Sequence, residues 1–330
     1  MPRILLTTTS YQDTPGDHHA LLESQGFDIQ RERGPLDEAA MLDLAGDFDG
    51  LLCGDDALTR QVLERHAPRL KVISKYGIGL DKIDLEACAG LGLPVLYTPG
   101  VNHTTVAEHT FCLLLALVRN LVAEANHTRA GEWVRLTGHE IWGKRIGLIG
   151  LGRIGQEVAK RAAAFGMEIH GFGNHWPDEV AAGYQITRHR SLDDLFANVE
   201  IVSPHTKLTA ATHGLINAAR LSLMPEGSYV VNTGRGEMAD LQAVIAALDS
   251  GKLAGYATDV LDQEPPPPDH PLLAHPRALV TPHIGSRTYE SVPRQALKAT
   301  HNLINFLKGS GEIFQANQQI PVPEGLTVSG

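Results

Sequence analysis

The chain is poor in cysteine, in aromatic residues and in long apolar runs. It contains three cysteines, Cys53, Cys88 and Cys112, among 330 residues. Such a sparse, odd-numbered set without a Cys-x-x-Cys pair argues against a disulfide framework and favours a reducing compartment. Aromatic residues make up only 5%, whereas glycine is common with 33 residues. This composition favours the tight turns of an α/β protein over a β-sandwich.

An excess of positive charge and a membrane segment are also missing. The formal net charge is −10, so we do not expect binding to nucleic acid through neutralised phosphates. The longest apolar run, residues 111–118, is too short to cross a bilayer, and the N-terminus shows no signal-peptide pattern. We therefore expect a cytoplasmic protein that binds neither nucleic acid nor membranes.

Strands alternate with helices twice along the chain. The first alternation occupies residues 1 to about 100. A long helix predicted for residues 104–130 follows, and a strand at residues 145–149 begins the second alternation. This order predicts an α/β protein of roughly two domains, each a parallel sheet covered by helices on both faces. We expect the last ten residues to be loosely held.

A glycine-rich loop opens the second alternation. The sequence Gly150-Leu-Gly-Arg-Ile-Gly155 lies between a predicted strand and a predicted helix. In this setting Gly150 permits a tight turn, Gly152 lets the backbone approach a pyrophosphate, and Gly155 lets helix and strand pack closely. The free N–H groups of the helix start attract the anion. The pattern predicts a dinucleotide site that includes the intervening Arg153 and Ile154.

An acidic residue is missing where a ribose ligand is expected. The strand predicted after the glycine-rich loop ends at Phe172, and Gly173 occupies the place of the carboxylate that would bind a ribose 2′-hydroxyl and repel a 2′-phosphate. Asn174, His175 and Lys207 could bind either a hydroxyl or a phosphate. The sequence therefore predicts NAD(P)(H) as cofactor, with NADP favoured over NAD.

Three ionisable residues follow predicted strands in the second half of the chain. Arg235, Glu264 and His283 each lie shortly after a strand. Because ligands bind outside the carboxyl ends of parallel strands, all three can face one cleft. The sixteen histidines form no convincing ligand cluster, so we expect no metal site.

At these residues the sequence resembles the D-isomer-specific 2-hydroxyacid dehydrogenase family, in its phosphoglycerate-dehydrogenase-like branch. The resemblance covers roughly residues 45–310. It is carried by the segments at residues 77–79, 106–108, 150–155, 232–236, 259–265 and 282–286. The order and spacing of the arginine, glutamate and histidine segments make it specific.

The resemblance implies a catalytic role for each of the three residues. His283 would be the general acid–base, which gives a proton to a carbonyl oxygen during reduction and takes it back during oxidation. Glu264 would hold the other imidazole nitrogen and favour the protonated form. Arg235 would bind the substrate carboxylate through its fork of donors and polarise the carbonyl. The implied activity is an NAD(P)-dependent 2-oxo acid reductase or D-2-hydroxyacid dehydrogenase.

The resemblance also implies further contacts. Asp259 would orient the nicotinamide amide, and backbone N–H groups of the Gly77 loop would bind the substrate carboxylate. Besides the glycine-rich loop and the ribose region, the cofactor contacts are Thr233, Gly234, Asp259 and Ser286. The substrate contacts are Lys75, Gly77, Ile78, Gly79, Asn102 and Arg235. The sequence also departs from the family pattern near these segments, and a pocket lined by Lys75, His103 or Arg287 would admit a substrate with a second anionic group.

The implied architecture is two Rossmann-like, doubly wound domains, one inserted into the other. Residues 1–101 and 291–330 would form the substrate domain, and residues 102–290 the dinucleotide-binding domain. Family members usually dimerise through the region of the long helix, so a homodimer is expected.

Two other functions stay open at this point. Some dehydrogenase-like folds are corepressor-like proteins that sense NAD(H), although the intact Arg235, Glu264 and His283 set argues against a vestigial site. A second alternative is a dehydrogenase for a donor such as phosphite. The physiological substrate among glyoxylate, hydroxypyruvate, phosphoglycerate and similar acids is not determined by the sequence.

Overall fold

The computed structural model describes residues 1–329, which form two compact units. One comprises Met1–Asn102 and the chain from Arg287 onward, and the other comprises His103–Ser286. The boundaries predicted from the sequence lie after residues 101 and 290. Each unit has its own sheet and its own core.

The first unit is built around a five-stranded parallel sheet with helices on both faces. Its elements are β1 (Arg3–Leu6), α1 (Thr9–Asp13), α2 (Asp17–Glu23), β2 (Asp28–Arg31), α3 (Glu38–Asp43), β3 (Gly50–Cys53), α4 (Arg60–His66), β4 (Val72–Lys75), α5 (Leu85–Gly90) and β5 (Val95–Leu96). The strand order is β2-β1-β3-β4-β5. Alternate residues of β1 pack into two different cores, Leu5 with α4 and α5, and Ile4 and Leu6 with the helix that follows residue 290. This alternation is what a sheet buried on both faces requires.

The second unit contains a seven-stranded parallel sheet. Its elements are α6 (His103–Val118), α7 (Leu121–Arg129), β6 (Arg145–Ile149), α8 (Arg153–Ala164), β7 (Glu168–Phe172), α9 (Asp178–Gly183), β8 (Thr187–Arg188), α10 (Leu192–Ala197), β9 (Ile201–Pro204), α11 (Ala218–Leu223), β10 (Ser228–Asn232), α12 (Leu241–Ser250), β11 (Leu253–Thr258), α13 (Pro271–Ala274) and β12 (Ala278–Val280). The strand order is β12-β11-β10-β9-β6-β7-β8. The order reverses between β6 and β9, and such a reversal opens a crevice at the carboxyl ends of the strands. The predicted doubly wound α/β class is confirmed.

The long helix predicted for residues 104–130 is wrong as a single element. It is broken between α6 and α7 at Asn120, whose φ of +53° is left-handed, and the two helices are bent by 64°. Asparagine tolerates this conformation better than most residues do. The break is stabilised from outside, because Asn120 donates to the carbonyl of Thr137 and the Val118 carbonyl accepts from the His139 N–H. Periodicity alone does not reveal such contacts.

The expectation of a loosely held C-terminus is also wrong for the residues that the structure describes. After α14 (Ser291–Lys308), the strands β13 (Gly311–Phe314) and β14 (Leu326–Ser329) pair in parallel. The connecting segment is fixed by Asn317, which is 3% exposed and bonds the backbone of Val95 and Leu93 at 2.8 and 2.9 Å. Buried amide side chains therefore order a segment with few apolar residues.

Within residues 1–329, no single helix is long and apolar enough to span a membrane; α6 and α7 pass that test of length and composition only as a bent pair.

Candidate active site

The three predicted catalytic residues follow three adjacent strands of the seven-stranded sheet. Arg235 follows β10, Glu264 follows β11 and His283 follows β12, and these strands are neighbours in the sheet. Thr258, at the end of β11, is in register with Asn232 on one side and Val280 on the other. The three loops therefore leave the sheet at the same level of its carboxyl edge.

The imidazole of His283 is paired with the carboxylate of Glu264. The Nδ1 of His283 lies 2.7 Å from Oε2 of Glu264, and the other carboxylate oxygen accepts the Leu261 N–H at 2.9 Å. The side chains are 34% and 27% exposed. The backbone bond fixes the carboxylate, and the carboxylate fixes the ring. The predicted contact between these two residues is thus present in the structure.

The loop that carries His283 is held by the buried carboxylate of Asp259. The N–H groups of Ile284 and Gly285 donate to its two oxygens at 2.9 and 2.7 Å, and the His283 N–H donates to the Asp259 carbonyl. His283 itself has a left-handed φ of +52°, a conformation that costs energy for a residue with a side chain. The hydrogen bonds from the N–H groups of His283, Ile284 and Gly285 to Asp259 hold this backbone conformation.

His109 and Thr281 complete the network around Asp259, and no role was predicted for either residue from the sequence. The Thr281 hydroxyl donates to Oδ1 of Asp259 at 2.6 Å, and Nε2 of His109 lies 3.0 Å from that hydroxyl and 3.2 Å from the same carboxylate oxygen. Burial alone would raise the pKa of Asp259, but hydrogen bonds from His109, Thr281 and Ile284 outweigh it and lower the pKa. The feature of the sequence that could have indicated a role for His109 is its position directly after the matched segment at residues 106–108.

The Arg235 turn is built from local hydrogen bonds. Buried Asn232 accepts the Gly234 N–H at 3.0 Å and donates to the Arg235 carbonyl at 2.8 Å, and one guanidinium nitrogen of Arg235 donates to the Gly234 carbonyl. A Cβ at Gly236 would lie 2.0 Å from the carbonyl carbon of Leu261. Only glycine therefore lets this turn pack on the segment that leads to Glu264.

The glycine-rich loop has the shape of a phosphate cradle. Gly150 has a φ of +97°, and a Cβ at Gly155 would lie 2.1 Å from the Gly150 carbonyl oxygen, so both positions require glycine. At Gly152, the N-cap of α8, a Cβ would meet nothing within 4 Å, and no side chain caps the helix. The open position and the uncapped helix start fit a pyrophosphate.

His205 adds a second observation at this loop. It follows β9, and its carbonyl oxygen lies 2.6 Å from where a Gly150 Cβ would be. Its Nε2 is buried with no hydrogen-bond partner among the described residues, and burial lowers the pKa of the ring to about 4. A neutral, unsatisfied imidazole nitrogen at the reversal of strand order is suited to a bound polar group. The residues present therefore fit a dinucleotide.

The predicted ribose ligands surround the end of β7. The Gly150 N–H donates to the carbonyl of Phe172, which places Gly173 beside the glycine-rich loop. A Cβ at Gly173 would lie 3.4 Å from the His175 carbonyl oxygen, an ordinary contact. Asn174, His175 and Lys207 are exposed. Their cofactor contacts stay predictions.

The remaining predicted cofactor contacts lie on the same unit. Arg153 is exposed and Ile154 half-buried at the start of α8, and Ser286 is half-buried after the His283 loop. The Thr233 hydroxyl lies 2.9 Å from that of Thr110 on α6. Gly234 belongs to the Arg235 turn described above.

The predicted substrate contacts of the first unit lie at the end of β4 and beyond it. Lys75 is 2% exposed, and its ammonium lies 2.6 Å from Oδ1 of Asp55. The Gly77 N–H donates to the Thr98 hydroxyl at 2.9 Å. Asn102 is 8% exposed. Substrate binding by all of these residues stays a prediction.

No group of three or more His, Cys, Asp or Glu side chains within residues 1–329 could hold a metal ion.

Comparison with known proteins identifies the family. The model for the NAD binding domain of D-isomer specific 2-hydroxyacid dehydrogenases matches residues 111–285. A glyoxylate reductase of Thermofilum pendens is 41% identical over 83% of this chain and 83% of its own length. The chain belongs to the D-isomer specific 2-hydroxyacid dehydrogenase family. The resemblance stated from the sequence is therefore confirmed.

A further relative and a solved structure support the same family assignment. A D-3-phosphoglycerate dehydrogenase of Bacillus subtilis is 34% identical over 79% of this chain and 50% of its own. The solved structure of the TT0316 protein from Thermus thermophilus is 38% identical with a TM-score of 0.83, and the match covers 93% of this chain and 97% of that one. The dehydrogenase is an oxidoreductase that acts on 2-hydroxy acids with a nicotinamide cofactor. The corepressor-like and phosphite-type alternatives are not favoured.

The Asp259 network of the dehydrogenase generates a prediction about His109. Replacing His109 by phenylalanine removes the donor beneath Thr281 and Asp259, and the loop of His283 then loses part of its support. We expect kcat to fall about ten- to a hundredfold, since small displacements of reacting groups cost that much, with little change in the KM for cofactor.

Two variants control for a loss of stability. His109→Gln retains an amide donor and is expected to recover most of the activity, and His301→Phe alters an exposed histidine of α14 and is expected to leave kcat unchanged. A folded His109→Phe variant with wild-type kcat would show that His109 does not position the loop.

Proposed function

We propose that the dehydrogenase reduces small 2-oxo acids that carry one carboxylate, with glyoxylate and hydroxypyruvate as the first candidates, and that NADPH is its preferred reductant. The observation that carries the proposal is the 2.7 Å contact between His283 and Glu264, at the carboxyl edge that also bears Arg235. Relatives named glyoxylate reductase support the choice of candidates.

We propose one task for each side chain. Because Glu264 binds Nδ1 of His283, the proton for the substrate carbonyl oxygen comes from Nε2. Glu264 is acceptor-only when ionised, so it favours the tautomer or charge state in which Nδ1 carries hydrogen. The guanidinium of Arg235 presents a rigid fork of donors, which suits a carboxylate and its neighbouring carbonyl. A bound nicotinamide supplies the hydride.

The substrate carboxylate has a second candidate partner in the first unit. Ile78 is 37% exposed, and its N–H and that of Gly79 follow the left-handed Gly77. Successive backbone N–H groups in such a turn form an anion-binding concavity. We propose that these two N–H groups bind the carboxylate and that Asn102 and Lys75 shape the surroundings.

A substrate panel with a His283 variant tests this activity. We expect wild type to oxidise NADPH with glyoxylate and hydroxypyruvate, and His283→Ala to lower kcat by ~10²–10⁴-fold, the usual contribution of general acid–base catalysis. The Kd for NADPH, followed by fluorescence, should change little.

The matched control is His275→Ala. His275 also pairs with a carboxylate, that of Asp249 at 3.3 Å, but it precedes β12 instead of following it. The kcat of the His275→Ala variant should equal that of wild type. If His283→Ala kept most of its kcat, or if no 2-oxo acid were reduced by wild type, the proposal would be wrong.

The preference for NADPH is supported by the chemistry around Gly173. No carboxylate occupies this position to repel a 2′-phosphate, and Asn174, His175 and Lys207 follow the carboxyl ends of β7 and β9. Asparagine and lysine side chains can donate to phosphate oxygens. A fixed negative charge at residue 173 would therefore change the choice of cofactor.

We expect wild type to use NADPH with a kcat/KM at least equal to that for NADH, and Gly173→Asp to shift the ratio towards NADH by about tenfold or more. A Cβ at Gly173 would make only ordinary van der Waals contacts, the nearest at 3.4 Å. Gly183→Asp, at the end of α9 with nothing within 4 Å of its Cβ position, is the control with the same change of charge. Strong NADH preference in wild type that Gly173→Asp does not alter would show that another residue selects the cofactor.

A homodimer is proposed on an exposed apolar surface of the second unit. None of the residues of α7 is buried, and Leu121, Trp133 and Trp142 are 59%, 78% and 75% exposed. Large aromatic residues are enriched at interfaces between subunits. We propose that a second copy of the chain covers this surface, and sedimentation at equilibrium should give twice the chain mass. The mass of a monomer at micromolar concentration would contradict this.

We propose a reducing, cytoplasmic location. Cys53, Cys88 and Cys112 are free thiols, and burial raises the pKa of Cys88 to about 12, which keeps it from reacting as a thiolate. Fractionation of the source cells with an antibody tests the location, and recovery outside the cytoplasm would contradict it.

A further inference from the structure

We infer that Asp55 is a specificity-determining residue, which pairs with Lys75 and thereby cancels a buried positive charge that would otherwise favour substrates with a second anionic group. The inference rests on the proposed reduction of 2-oxo acids and narrows it to acids with a single negative charge. It concerns only the first unit of the chain.

The pair lies where the topology of the five-stranded sheet opens a crevice. The order β2-β1-β3-β4-β5 reverses between β1 and β3, and ligands of such sheets bind at the carboxyl ends of the strands at this reversal. Asp55 follows the end of β3, and Lys75 is the last residue of β4, in register with Cys53. Both side chains therefore belong to the ligand-binding edge of the sheet.

Lys75 also adjoins the loop that we propose for the substrate carboxylate. Its Cε lies 3.8 Å from the position that a Cβ on Gly77 would occupy. Ile78 and Gly79, whose N–H groups carry that proposal, come next in the chain. An ammonium group so placed is close enough to act on a second charge of the same small molecule.

The charge of this ammonium group is already compensated. Nζ of Lys75 lies 2.6 Å from Oδ1 of Asp55 and also donates to the Gly54 carbonyl. The lysine is 2% exposed whereas the aspartate is 41% exposed, so an approaching anion meets the carboxylate before the ammonium. A phosphate ester or a second carboxylate is repelled there, and a neutral hydroxyl or a hydrogen is not.

A second cation of this unit is paired in the same way. Arg287, which the sequence made a candidate ligand for a second anionic group, donates to Asp13 at 2.7 Å. Asp13 also accepts from Arg33, and the hydrogen bond with Arg33, aided by that with Arg287, holds the pKa of this carboxyl below its usual value. Thus Lys75 and Arg287, two of the three residues that the sequence offered as ligands for a second anionic group, each have a carboxylate partner.

The test compares two substrates that differ only by a phosphate ester. The quantity is the ratio of kcat/KM for phosphohydroxypyruvate to that for hydroxypyruvate, measured with the full chain and saturating NADPH. Wild type should favour hydroxypyruvate. Asp55→Asn keeps the shape of the side chain and removes its charge, so the ratio should rise about tenfold or more.

The double variant Asp55→Asn with Lys75→Met identifies the charge responsible. Methionine is an unbranched side chain that fills the space of the lysine stem without its charge, so the gain should disappear. Asp43→Asn, an acid of α3, controls for the loss of one negative charge and should leave the ratio within about twofold. Circular dichroism reports folding, and Asp55→Ser replaces Asp55→Asn if the latter fails to fold.

Three results would overturn the inference. They are a ratio that does not move in a folded Asp55 variant, a gain that survives the removal of Lys75, and a wild type that already prefers the phosphorylated acid. The proposed function fails differently: wild type then reduces no 2-oxo acid at all, and this inference falls with it.

Discussion

The buried carboxylate of Asp259 is the interaction on which the catalytic edge of the second unit depends. It leaves the sheet one residue after β11 and binds the loop that follows the adjacent β12, through the N–H groups of Ile284 and Gly285. A buried charge is tolerated only when it is hydrogen-bonded. Removing these donors would leave the carboxylate without its partners, and it would also release the loop that the carboxylate holds. The loop supplies hydrogen-bond donors to the buried carboxylate, and the carboxylate fixes the loop. This mutual dependence maintains the strained backbone of His283.

Pairs of opposite charge recur in the two units. In the second unit the carboxylate of Glu264 pairs with the imidazole of His283, which we propose as the proton donor to a substrate carbonyl. In the first unit the carboxylates of Asp55 and Asp13 pair with Lys75 and Arg287. We propose that the same type of pair serves catalysis in the second unit and limits the charge of the substrate in the first.

Much of this architecture follows from patterns with a short range in the sequence. The strand at residues 145–149 was predicted with the bounds that the structure has, because a buried parallel strand is an apolar run between turn residues. The loops of Gly150, Arg235, Glu264 and His283 were found because glycine and ionisable residues stand at fixed distances from the predicted strands. The break at Asn120 and the pairing of β13 with β14 depend on contacts far apart in the chain, which periodicity does not encode.

The partners of charged residues were the least predictable part. Lys75 was expected to bind substrate from its position alone, and nothing near it in the sequence indicates that Asp55, on another strand end, would reach its ammonium. Likewise the role of His109 depends on a contact with residues more than a hundred positions away. Such pairs are fixed by strand order and register, and only the folded sheet brings them together.

The central claim is that His283, positioned by Glu264 and Asp259, protonates the carbonyl oxygen of a 2-oxo acid whose carboxylate is bound by Arg235. A crystal structure with NADPH and oxamate, an unreactive analogue of a 2-oxo acid, tests it most directly. The account predicts Nε2 of His283 within about 2.6–3.2 Å of the carbonyl oxygen, the contact with Glu264 intact and the carboxylate on the guanidinium. An analogue bound away from His283, or an imidazole turned from Glu264 in that complex, would contradict it.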